Sequence, residues 1–187
     1  MQPLFPEIKP YARHRVQVDA GHNLYVDESG NETGLPVIFL HGGPGSGCEF
    51  DSRRFFDPAV YRIILVDQRG SGRSTPQGEI EGNTLQNLIG DLEQVRDLLK
   101  IRAWVVFGGG WGSTLALAYA EHDPKQVLGL ILRGVFLGRP ADIDWIYKEG
   151  AKAFFPEYWA DFIAPILDLD QATPCESYHE LMTSGND

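Results

Sequence analysis

The chain has 187 residues, 43% of them apolar and 11% aromatic, enough to build a packed core and too many for a disordered segment. Its 26 acidic against 16 basic residues give a formal charge of -10, which argues against non-specific attraction to nucleic acid or anionic lipid. No apolar stretch is long enough to span a bilayer, and Met1 to Tyr11 carries prolines where a secretory leader needs an apolar run. Cys48 and Cys175 lie far apart and outside any metal or redox spacing, so the expected setting is cytoplasmic, with no metal and no cofactor.

Along the chain, Arg15 to Asp19 and Asn23 to Asp27 alternate polar and apolar around Ala20-Gly21, the pattern of an antiparallel hairpin. Four apolar runs follow, Val37 to Leu40, Tyr61 to Val66, Trp104 to Phe107 and Val127 to Leu132. None alternates, as expected of strands buried on both faces. Between the second and third, Leu85, Leu88, Ile89, Leu92, Val95, Leu98 and Leu99 recur at helical spacing behind Asn83 or Thr84 as a cap. A second helix is expected from about Ser113 to Glu121, stopping before Asp123-Pro124. Strands alternating with helices imply an α/β fold with a mainly parallel sheet. From Gly138 the texture becomes aromatic and acidic, with prolines at 156, 165 and 174, as in a helical insertion. The expected division is a core over 1–137 and the start of a helical cap over 138–187.

Two glycine-rich segments carry the chemistry. His41-Gly42-Gly43-Pro44-Gly45 follows the first parallel run, where glycine lets the N–H of Gly43 come close to a reacting carbonyl; taken alone, such a segment is more often an ordinary tight turn. Gly108-Gly109-Gly110-Trp111-Gly112 sits between a strand and a helix, the place of a Gly-x-Ser-x-Gly nucleophile elbow, and puts Gly110 where the serine belongs and the Trp111 N–H beside it. Ser113 is a poor substitute, because an elbow centred there needs glycine at 111 and 115, which hold Trp and Leu. Asp67-Gln68-Arg69-Gly70-Ser71-Gly72-Arg73-Ser74 reads as a tight loop braced by its own charges, and His41 as a loop brace rather than a base. His122 and His179 read as surface or cap residues.

These segments, in this order and register, together with Gly-Ser-Thr-Leu-Ala-Leu-Ala-Tyr-Ala after Trp111, resemble the proline iminopeptidases, serine peptidases of the α/β-hydrolase fold. The likeness runs from Leu4 to Tyr11 through Asp144-Trp145-Ile146-Tyr147 to Phe155-Pro156. It implies release of N-terminal proline from short peptides through an acyl-enzyme, with Ser, Asp and His in that chain order. It also implies Gly43 and Trp111 as oxyanion donors, and Arg133, Phe136 and Tyr147 as pocket residues, for which hinge and cap packing is an equal reading. The cap carboxylates that the resemblance implies for the substrate's ammonium are expected beyond Asp187, with Glu149 and Glu157 as candidates by charge alone.

The sequence departs from that pattern twice. Glycine at 110 has no Oγ, so the chain is expected to be inactive, as a knock-out or as a pseudoenzyme that binds peptides without turning them over. No residue matches the family's Asp or His, and the later strands of the core are absent. The chain is therefore expected to be a portion of a longer protein, a truncated product, or one half of a split protein completed by a C-terminal chain.

Overall fold

The fold is described from a computed structural model, which describes residues 4–166 and 174–183. It contains two compact units, Met1–Phe136 and Leu137–Asp187.

The first unit is built on a six-stranded sheet: β1 (Ala12–Gln17), β2 (Asn23–Gly30), β3 (Leu35–Leu40), β4 (Tyr61–Asp67), β5 (Trp104–Gly110) and β6 (Val127–Val135). Its spatial order is β1-β2-β4-β3-β5-β6. β1 and β2 pair antiparallel, β2 meets β4 antiparallel, and the remaining pairs are parallel. The expected hairpin and four parallel runs are therefore all present, with β1 beginning at Ala12, three residues before the alternation becomes visible.

The parallel strands lack sequence alternation because both faces are covered, yet the pleat still sorts them. Ile38, Leu40, Ile64, Val66, Trp104 and Val106 pack in one core with Leu88, Leu92 and Val95 of α1 (Leu85–Leu98) and Leu115 and Tyr119 of α2 (Trp111–His122). Val37, Ile63, Leu65 and Phe107 form a smaller core on the opposite face with Phe56. Thr84 caps α1, its Oγ1 accepting from the Asn87 N–H at 3.2 Å. A short 3₁₀ turn, Phe50–Phe55, follows β3 and has no counterpart among the expected elements.

Burial on both faces fails for β6. It is the last strand of the sheet, and Leu128, Ile131 and Val135 are 56%, 44% and 56% exposed. The apolar run is real, and its place at the edge of the sheet leaves it uncovered, as the absence of the later core strands implied.

In the second unit, α3 (Pro140–Asp144), a wide π turn at Trp145–Glu149, α4 (Gly150–Phe154), α5 (Pro156–Ile163) and α6 (Pro174–Thr183) are all helical. Pro140, Pro156 and Pro174 each open a helix, where the missing N–H costs nothing. Among the described residues no helix is long and apolar enough to cross a membrane.

Candidate active site

The end of β5 turns directly into α2 with no intervening loop. Two glycines make that possible. A Cβ on Gly108 would lie 2.1 Å from the Gly112 carbonyl oxygen, and one on Gly112 would lie 2.1 Å from the Leu40 carbonyl oxygen. The start of α2 thus presses against both its own strand and the end of β3. Between them Gly110 sits at φ 56°, ψ -123°, and a Cβ there meets nothing within 4 Å. The turn therefore raises one position into open space, in a backbone conformation that is strained for any residue with a side chain.

Trp111 begins α2, so its backbone N–H is one of the donors a helix start leaves without an intrahelical acceptor. Gly43 stands in the loop after β3. That loop and the elbow are neighbours, since a Cβ on Gly42 would be 3.2 Å from the Gly109 carbonyl oxygen. Arg133 pairs in register with Gly109, and Val135 with Gly110, across the β5–β6 ladder.

A buried polar chain joins the three segments. The Gln68 N–H donates to His41 Nε2 at 3.0 Å, Gln68 Nε2 donates to the His41 carbonyl at 3.0 Å, and Trp111 Nε1 donates to Gln68 Oε1 at 3.0 Å. With Nε2 accepting, the His41 proton is on Nδ1, which donates to the Gly42 carbonyl at 2.9 Å. His41 is buried, and burial pushes its pKa below the ordinary value, against the opposing pull of the Gly42 carbonyl and of Asp67. It braces the loop as a neutral ring.

Because an unfolded histidine titrates near pH ~6.5, acid favours the unfolded chain, which takes the proton first. The contribution of His41 to stability is complete above that pH and is lost as pH falls through it toward the lower folded pKa. In a histidine NMR titration, the His41 ring is expected to stay neutral at pH ~6.5; half-protonation at that pH contradicts the burial argument. Gln68 is not among the site residues expected from the sequence. Its only signal there is its place directly after a buried strand, beside Asp67.

The Asp67–Ser74 loop is held as its charges implied. Asp67 accepts from the Cys48 N–H at 2.8 Å, the Arg73 N–H at 2.8 Å and Arg73 Nε at 2.7 Å. Arg69 grips Asp91 with two hydrogen bonds, of 2.8 and 2.6 Å. Ser113 is fully buried inside α2, donating to the Gly110 carbonyl at 2.6 Å and accepting the Phe136 N–H at 2.9 Å. It ties the elbow to the end of β6.

The remaining expected residues are dispersed. Phe136 follows β6, its carbonyl taking a hydrogen bond from Thr114 Oγ1 at 2.5 Å. Tyr147 belongs to the second unit, in the π turn, where it lines an apolar cavity of about 470 Å³ with Ile146, Phe155, Tyr158 and Phe162. Glu149 lines a separate cavity of about 610 Å³ with Lys148 and Lys152, and Glu157 is exposed on α5. His122 and His179 are exposed. Among the described residues no group of His, Cys, Asp and Glu could hold a metal ion.

Comparison with known proteins agrees with this geometry. The chain is 47% identical over 184 residues to a proline iminopeptidase of Xylella fastidiosa, covering 98% of this chain and 59% of that protein. It spans between 48% and 60% of the length of the curated relatives it matches. Among solved structures, a proline iminopeptidase-related protein from Thermus thermophilus matches at 27% identity with a TM-score of 0.57, covering 67% of this chain and 44% of that one. A serine-to-glycine mutant of the N-acyl homoserine lactonase AidH, complexed with N-hexanoyl homoserine lactone, matches at 26% identity with a TM-score of 0.55, covering 66% and 45%. Residues 36–169 match the family described as alpha/beta hydrolase fold, and with the strand-to-helix elbow at Gly110 in the place that fold gives it, the chain belongs to the α/β-hydrolase family.

Proposed function

We propose that this chain is the amino-terminal part of a proline iminopeptidase whose nucleophile has been lost, and that by itself it does not hydrolyse peptides. The observation that carries the reading is Gly110: a strained, outward-facing position with open space for a side chain, set between two glycines that admit none. In the active form a serine there attacks the carbonyl of an N-terminal proline. The N–H groups of Gly43 and Trp111 take the developing oxyanion, aided by the positive end of α2. By the same reading Arg133, Phe136 and Tyr147 are assigned as peptide-pocket residues, and residues 138–187 as the start of the cap domain. The triad's Asp and His come from a complementing C-terminal segment or chain. The substrates are short peptides beginning with proline, and the free thiols of Cys48 and Cys175 fit a reducing, cytoplasmic setting.

A second reading, a module that binds peptides without cleaving them, is favoured by one observation. Among the described residues a Cβ at Gly110 would meet nothing within 4 Å, and the lactonase carrying a serine-to-glycine change is complexed with its lactone.

Release of the chromophore from a prolyl arylamide tests the main reading in three samples: this chain, this chain joined to the remaining part of a relative, and the joined form with Gly110→Ser. Only the last is expected to turn over, by a factor on the order of 10⁶ above the glycine form, the scale of losing a triad nucleophile. Turnover by the unmodified chain, or none by the joined serine form, counts against it.

A further inference from the structure

The two edges of the sheet are built differently. β1, at one end, carries Arg13, His14 and Arg15 within its six residues, charges that discourage a further strand from pairing with it. β6, at the other end, has a single charge, Arg133, in nine residues and no proline, and its Leu128, Leu130, Ile131 and Val135 are exposed. Among the described residues β6 pairs only with β5, so the backbone N–H and C=O groups along its outer side have no strand to meet.

The strand is also complementary to itself. Its ladder with β5 skips Leu128 at one end and Gly134 at the other, so the regular stretch is Gly129 to Arg133, with Ile131 at its centre. Laid antiparallel on a second copy with Ile131 opposite Ile131, this stretch sets Leu130 against Leu132, and Gly129, which has no side chain, against the long Arg133. Residues directly opposite share a face: the two Ile131 side chains meet on the face of their ladder partner Phe107, and the leucines meet on the other. Like charges stay apart, because the two Arg133 positions lie four residues from each other along the ladder, ~14 Å and beyond the screening length of ~8 Å at physiological salt. Bulged residues interrupt pairing, and a slip of the register in either direction brings Leu128 or Gly134 into the ladder. Only the Ile131-centred register uses the whole regular stretch and neither bulge.

We propose that β6 is a self-recognition edge: two copies of this chain pair β6 to β6, antiparallel about a two-fold axis through Ile131, and join their six-stranded sheets into one. The charged edge at β1 stops further growth, so the assembly closes at two copies. The contact needs neither Gly110 nor a triad, and it stands whether or not the chain hydrolyses a peptide. A single short ladder falls below the roughly 1,200 Å² of a standard interface, so the dimer is weak and reversible.

Sedimentation velocity of the unmodified chain from about 1 to 500 µM tests it, with half-association expected at a concentration on the order of 10⁻⁴ M. Ile131→Lys and Ile131→Glu each place like charges opposite one another and are each expected to weaken association about tenfold or more. An equimolar mixture of the two variants should regain it, since the lysine of one copy then faces the glutamate of the other. Ile131 is partly exposed, so both variants are expected to keep the far-ultraviolet circular dichroism of the unmodified chain. A monomer at every concentration, its edge left to another occupant such as a further stretch of chain, overturns the proposal without recourse to a variant. A dimer that survives both substitutions, or a mixture that associates no better than either variant alone, overturns it as well.

Discussion

Gly112→Ala is expected to prevent stable folding, whereas Gly110→Ala, two residues away in the same turn, costs only about 1–3 kcal/mol. The difference is one of neighbours. An alanine Cβ at 112 would lie 2.1 Å from the Leu40 carbonyl oxygen, 2.8 Å from its carbon and 2.9 Å from the His41 carbonyl oxygen. All are backbone atoms at the end of a central strand, so relief requires moving α2 off the sheet and disrupting the core shared by Leu115, Tyr119 and Trp104. Single changes that cost more than about 4–5 kcal/mol are exceptional, and this is on the scale of a whole domain's stability. At 110 the added methyl meets nothing within 4 Å, and only the dihedral strain at φ 56° remains. Urea denaturation of the two variants measures the difference; similar costs would mean that the elbow is looser than its contacts imply.

Asp67→Ala carries the second largest expected loss, about 2–5 kcal/mol, because it strands two partly buried backbone donors and leaves the Arg73 guanidinium with only its longer ionic contact to Asp27 at 3.5 Å. The Asp67 side chain is fully buried, and its two oxygens serve the Cys48 N–H, the Arg73 N–H and the Arg73 side chain. Burial alone would raise its pKa, but the hydrogen bonds from Arg73 and Cys48 prevail and hold it below the usual carboxylate value. A folded pKa below the unfolded value of about 3.9 means that the stabilisation is complete above that pH and is lost as acid carries the solution down through the folded pKa. Denaturation midpoints of the wild type and Asp67→Ala should therefore stand far apart at neutral pH and converge in acid. A neutral-pH gap below about 1 kcal/mol, the level of a surface pair, would show that Arg73 finds another partner.

Local signals in the sequence reached the elements whose causes are local. The α1 stripe from Leu85 to Leu98 and the Thr84 cap are visible because a helix closes its own hydrogen bonds and exposes its period. The elbow was legible because glycine spacing records close backbone approach, which Gly108 and Gly112 confirm in contact with the Gly112 and Leu40 carbonyls. What escaped depends on distant partners. Placing β4 between β2 and β3 is a pairing between remote segments, and the Phe50–Phe55 turn has no period of its own. Gln68 acquires its role only when His41 and Trp111 arrive on either side of it.

The turn at Gly110 keeps its shape without any side chain at its apex. Contacts at Gly108 and Gly112, the His41–Gln68–Trp111 chain and the Ser113 hydrogen bonds all hold the backbone on either side of it. On the proposed reading, a glycine in the place of the nucleophile leaves no structural scar, and a serine there asks for no remodelling of the scaffold. Glycine and serine codons can lie a single base apart, so on that reading the two forms are separated by one mutational step and a modest stability penalty, a short path in either direction.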